Sequence, residues 1–107
     1  MKKILVIDDQ PEMLELLAES FKSIGMTCVT ASSFLEAELM ADNYYDGILI
    51  DYHLGEMKGD ALITRFREIN QNLKVALMTA DHLERKSIKV FQKPFKTKEL
   101  EEFFKGN

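Results

Sequence analysis

Apolar and polar positions along the chain follow two periods that take turns. Ile4-Leu5-Val6-Ile7 is an unbroken, β-branched-rich run, as expected of a strand buried on both faces. Leu14, Leu17, Phe21 and Ile24 then recur at three- and four-residue spacing, predicting a helix opened by Pro11 and closed by Gly25. Met26, Cys28 and Thr30 alternate with Thr27 and Val29, the pattern of a weaker strand at a sheet edge. Ser33 and Glu36 have the spacing of a capping box and predict a second helix through about Ala41.

Gly47-Ile48-Leu49-Ile50-Asp51 reads as a third strand, again apolar on both faces. Leu62, Ile63, Phe66 and Ile69 mark a third helix, and Val75 to Thr79 a fourth strand. Ile88 and Val90 alternate with Lys89, predicting a half-exposed fifth strand. Leu100, Phe103 and Phe104 share one face of a last helix, for which Thr97 is the expected N-cap.

Alternating strands and helices imply an α/β fold with a parallel sheet and helices on both faces. The doubly apolar first, third and fourth strands belong in the centre, and the second and fifth at the edges. The expected order is 2-1-3-4-5, a doubly wound, flavodoxin-like arrangement. Residues 1–107 read as a single domain without linker, repeat or low-complexity segment. From Ala80 through Ser87 there are 8 residues, whereas a parallel crossover with its helix needs about 10–12. Leu83 is the one large apolar residue of that stretch. The fourth helix is therefore expected to be absent or one turn long.

Composition narrows the function. Acidic residues outnumber basic ones 18 to 14, for a net charge of -4, which argues against direct contact with nucleic acid. Hydrophobic residues make up 46% and charged ones 30%, the balance of a globule rather than of a disordered chain. The apolar runs are too short to span a bilayer, and Met1-Lys2-Lys3 leads into too short a stretch for a secretory signal. The single Cys28 fits a reducing compartment and reads as a small buried hydrophobe. A cytoplasmic protein is expected.

In a doubly wound sheet the ligand crevice lies beyond the carboxyl ends of the strands. The first strand delivers Asp8 and Asp9 there, the third Asp51, the fourth Thr79, and the fifth runs into Lys93-Pro94. Singly, each has an ordinary explanation: Asp9 as a helix cap, Asp51 as a turn former, Thr79 as a loop hydroxyl, Lys93 as a solvated charge. Together, three carboxylates on one rim repel unless one is protonated or a cation joins them. A hard divalent ion such as Mg²⁺ suits such a set. His53 and His82 lack the paired spacing of a zinc site.

Asp8-Asp9, Asp51, Thr79-Ala80 and Lys93-Pro94-Phe95, with Gly59 after the third strand, resemble the receiver domain of two-component response regulators along essentially the whole chain. The resemblance implies that Asp51 accepts a phosphoryl group from a phosphohistidine. It implies Asp9, Asp51 and the main-chain carbonyl of His53 as direct Mg²⁺ ligands, with Asp8 acting through water. Lys93 and the Thr79 hydroxyl would contact phosphoryl oxygens, and the small Ala80 would leave room for them. His53 and Asp81 fall where the family tunes hydrolysis.

The implied partners are a sensor histidine kinase or phosphotransfer protein and a downstream protein target, with no membrane and a monomeric chain. Three departures stand out: Gly55 where proline is usual, Val90 where an aromatic switch is usual, and the short crossover. Val90 and the short crossover leave room for an alternative, an interaction module that keeps the fold but no longer switches. A phosphatase of another α/β family fits poorly, because His53 stands where its second aspartate belongs. With the usual dimerising face altered, partner contacts are expected at the first helix or at the edge near Ile88 and Val90.

Overall fold

In the computed structural model, which describes residues 1–54, 59–81 and 88–106 (59–61 as backbone), five strands form one parallel sheet. The strands are β1 (Lys3–Ile7), β2 (Thr27–Ala31), β3 (Gly47–Asp51), β4 (Lys74–Thr79) and β5 (Lys89–Gln92). Their order is β2-β1-β3-β4-β5, as the apolar runs predict. Register runs Ile4↔Cys28, Ile4↔Gly47, Ile48↔Val75 and Leu77↔Val90, so the carboxyl ends of all five strands share one edge. The helices are α1 (Pro11–Ser23), α2 (Phe34–Glu38), α3 (Gly59–Ile69) and α4 (Thr97–Lys105).

Strand alternation splits the core in two. Leu5, Ile7, Ile48, Ile50, Val75 and Leu77 face α2 and α3, meeting Ala37, Leu62 and Phe66. Ile4, Val6, Leu49, Ala76, Met78 and Phe91 face α1 and α4, meeting Leu17, Phe21, Leu100 and Phe104. Both faces of the three central strands are buried, which explains their unbroken apolar runs.

Local details depart from the sequence pattern. α2 ends at Glu38, with Leu39 as its C-cap, earlier than expected. Beyond it, Met40 N–H donates to the Ala37 carbonyl at 2.9 Å and Ala41 N–H to Glu38 at 3.2 Å. The turn thus tightens to i→i+3 pairing while Ala41 stays in the core. Ser33 Oγ accepts from Glu36 N–H at 3.0 Å, but the Glu36 carboxylate reaches back to Ser32 N–H, at 2.9 Å. β2 is displaced by one residue from the expected start, and Met26 is buried ahead of it.

Thr97 is not the cap of α4. Its hydroxyl donates to Ser20 Oγ of α1 at 3.3 Å, and Lys96 takes the cap position, its N–H bonded to the Glu99 carboxylate at 2.7 Å. The other end of α4 is held by two ammonium groups from the opposite edge of the sheet. Lys2 donates to the Phe104 carbonyl at 2.9 Å, and Lys74 to the Phe103 carbonyl at 2.8 Å. Burial and the neighbouring Lys2 charge push the Lys74 ammonium below its usual pKa.

β5 is half exposed, as its pattern implies, but its most buried residue is Phe91 on the α1/α4 side. Val90 lies on the other face, half-buried with Ile88 against the α2/α3 core. Cys28 is likewise half-buried rather than enclosed, and burial pushes its thiol up to about 11. The expectation of a missing or one-turn fourth helix, like Gly55 and His82, lies outside the described residues.

Candidate phosphoacceptor site

β1, β3 and β4 bring their terminal residues to one edge, and the chain leaving β5 brings Lys93 beside them. Asp8, immediately after β1, is fully buried; Asp51 and Thr79, the last residues of β3 and β4, are buried as well. Asp9 is exposed at the mouth. It caps no helix, since Gln10 holds the N-cap of α1. One carboxylate oxygen from each of Asp8, Asp9 and Asp51 lies within 4.8 Å of the others.

Backbone amides orient the two buried carboxylates. Asp8 Oδ1 accepts from Gln10 N–H at 2.9 Å, and Asp51 Oδ1 from His53 N–H at 3.2 Å. Each leaves its Oδ2 facing Lys93, whose Nζ stands 3.7 Å from Asp8 and 3.8 Å from Asp51. Those distances are ion-pair contacts, too long for hydrogen bonds. Asp8 Oδ2 is therefore a buried oxygen with no hydrogen-bond partner among the described residues. Desolvation pushes the Asp8 carboxyl above the usual carboxylate range. Gln10 N–H and Lys93 oppose the rise, and the Asp51 and Asp9 charges add to it.

An orphaned carboxylate oxygen, aimed into a cluster of three acids, is the environment that a hard cation relieves. The donor set is all oxygen, which suits Mg²⁺ rather than a thiophilic metal. Asp8, Asp9 and Asp51 therefore fit the ion that the sequence implies.

Thr79 and Lys93 are tied together through the backbone, Lys93 N–H donating to the Thr79 carbonyl at 2.7 Å. Thr79 Oγ1 accepts from Asp81 N–H at 3.0 Å, which leaves its hydroxyl proton free to donate elsewhere. Ala80 is exposed and lines a cavity of about 510 Å³ together with Lys93, Met13, Leu16 and Phe95.

At the outer rim, His53 Nε2 and Asp81 Oδ2 are 2.8 Å apart, both side chains more than half exposed. The sequence places these residues near the site but gives no sign that they bond each other. The cavity, too, goes unseen in the sequence. Its signal is the widening of the α1 stripe by Met13 and Leu16 beyond the core-facing Leu17.

The structure is thus a doubly wound, flavodoxin-like α/β domain that gathers three carboxylates, a hydroxyl and a lysine at the carboxyl edge of its sheet, where such folds bind ligands. The family model of the response regulator receiver domain matches residues 4–105, and the chain belongs to that family. It is similar to sporulation initiation phosphotransferase F of Bacillus subtilis, 29% identical over 97% of this chain and 91% of that protein. It is also 36% identical, over 75% of its length, to the sensor histidine kinase RcsC of Escherichia coli, of whose length the match spans only 8%.

Among solved structures, the response regulator TrrA of Thermotoga maritima in complex with Mg²⁺-BeF superposes with a TM-score of 0.79 at 29% identity. That match covers 98% of this chain and 97% of TrrA. No helix among the described residues is long and apolar enough to cross a membrane.

Proposed function

We propose that this receiver domain is a phosphoacceptor in a two-component phosphorelay. A carboxylate oxygen of Asp51 attacks the phosphorus of a phosphohistidine; the new O–P bond forms as the N–P bond breaks, and the imidazole leaves. The single observation that carries the reading is Lys93, poised between Asp51 and an Asp8 oxygen without a hydrogen-bond partner among the described residues.

Asp8, Asp9, Asp51 and the main-chain carbonyl of His53 would hold Mg²⁺, which supplies charge neutralisation for the incoming phosphoryl oxygens. The Lys93 ammonium pairs with one such oxygen and the Thr79 hydroxyl donates to another, while exposed Ala80 leaves the approach open. The chemistry is done on the chain itself, so the protein is not an enzyme acting on a separate substrate.

Similarity to a phosphotransferase and to a kinase's receiver supports a histidine kinase or phosphotransfer protein as donor, with a downstream protein as receiver of the signal. The setting is cytoplasmic and the chain acts as a monomer. The donor approaches over α1, where the cavity beside Ala80 and Lys93 opens. Val90, half-buried against the core where the family usually keeps a movable ring, favours a second reading, a module that binds without switching.

Acetyl phosphate with Mg²⁺ decides between them. Intact-mass spectrometry should show one phosphate-sized adduct on the parent, none on Asp51→Asn and none after chelation. A folded parent that stays unlabelled at saturating donor would leave the non-switching module.

A further inference from the structure

The chain's charge is unevenly distributed. Between Lys22 and Lys58 it carries six carboxylates and no lysine or arginine. Asp51 belongs to the phosphoacceptor site, Asp46 accepts from Lys3 N–H, and Glu36 is bonded to Ser32 N–H. Glu38 and Asp42 stand exposed on and just after α2.

α2 has apolar residues on two sides. Ala37 and Ala41 are buried in the core, with Phe34 and Met40 packed beside them. Leu35 and Leu39 point the other way, 70% and 80% exposed. Leu39 N–H donates to the Leu35 carbonyl at 3.3 Å, so the two lie one helical turn apart and form a ridge. Tyr44, after the following turn, is 52% exposed. Single exposed leucines are ordinary on protein surfaces, but an aligned pair with no role in the core is a contact feature.

We infer that the α2 ridge of Leu35 and Leu39, flanked by Glu38 and Asp42, docks a cationic amphipathic helix of a partner protein. The leucines match the apolar stripe of such a helix, and the carboxylates match lysines or arginines beside the stripe. The surface is separate from the Asp8–Asp51–Lys93 site and does not depend on phosphoryl transfer.

The test uses the full, isotope-labelled chain in Mg²⁺ and two synthetic helical peptides. One carries leucine and lysine at helical spacing, the other leucine and glutamate. The lysine peptide should shift the amides of residues 34–44 saturably, and the glutamate peptide should not. Leu35→Ser with Leu39→Ser should weaken binding by about tenfold or more while the rest of the spectrum holds. Glu38→Lys with Asp42→Lys should reverse the preference between the peptides.

Shifts that are absent, centred on Asp8, Asp9 and Asp51, or indifferent to the substitutions would overturn the inference. So would concentration-dependent shifts at α2 in the chain alone, abolished by the leucine substitutions, since a second copy would then be the occupant.

Discussion

The Lys93 ammonium stands 3.7 Å from Asp8 Oδ2, near enough to feel its charge and too far to satisfy it by a hydrogen bond. Burial disfavours the Asp8 carboxylate, whose pKa rises in the fold from an ordinary 3.8. Between the unfolded and folded values the native chain holds a proton that the unfolded chain has lost. Stability from this group is thus full below the unfolded pKa and falls as pH rises through the folded one. Asp8→Asn should stabilise the metal-free protein at neutral pH by about 1–3 kcal/mol, the cost of a buried unpaired acceptor. The gain should shrink as pH drops below the carboxylate range. Urea unfolding across pH in the presence of a chelator measures both.

Divalent cation should act in the opposite sense. An ion held by the native carboxylate cluster and not by the unfolded chain stabilises the fold, so Mg²⁺ should raise the melting temperature of the parent. At a hundred times its dissociation constant the stabilisation is about 2.7 kcal/mol. Asp8→Asn and Asp51→Asn should each lose most of that response in thermal melts with and without the ion.

In the proposed phosphoacceptor role, the contact between His53 and Asp81 bears on the lifetime of the aspartyl phosphate. With Asp81 Oδ2 bonded to His53 Nε2, that imidazole nitrogen is engaged and does not orient a water toward Asp51. Asp81→Ala releases the imidazole and removes a negative charge from the rim. Dephosphorylation should therefore quicken severalfold, read as loss of the adduct by mass spectrometry after the donor is removed. An unchanged rate would show that the pair does not guard the site.

Gly47 opens β3 against the ring of Phe104. A Cβ there would lie 2.6 Å from Phe104 Cδ1 and Cε1, closer than any real contact, with Ile4 Cδ1 at 3.1 Å behind it. Gly47→Ala should cost about 1–3 kcal/mol of stability through overpacking. Phe104→Ala, which empties the same contact, should cost about 3–5 kcal/mol. Chemical denaturation of the two variants and of the double variant would show non-additive losses, because the residues share one space.

Much of this molecule is legible in one dimension because its strands are short, parallel and buried on both faces. An unbroken apolar run such as Ile48-Leu49-Ile50 can occupy little but the centre of such a sheet, and the residue that follows it must emerge at the carboxyl edge. Asp8, Asp51, Thr79 and Lys93 could therefore be gathered from their places after four runs, and the structure gathers them.

Tertiary contacts decided what periodicity does not encode. Thr97 has the chemistry of a cap, yet Ser20 of α1 claims its hydroxyl and Lys96 takes the position. Ser33 and Glu36 start α2, but the packing of Ala41 tightens its end into i→i+3 turns. The orphaned Asp8 oxygen and the His53–Asp81 contact arise only when β1, β3 and the chain after β4 and β5 meet. Local pattern reports which face each residue prefers. Distances between residues far apart in the chain, and the desolvation that shifts a buried carboxyl, exist only once those faces have closed.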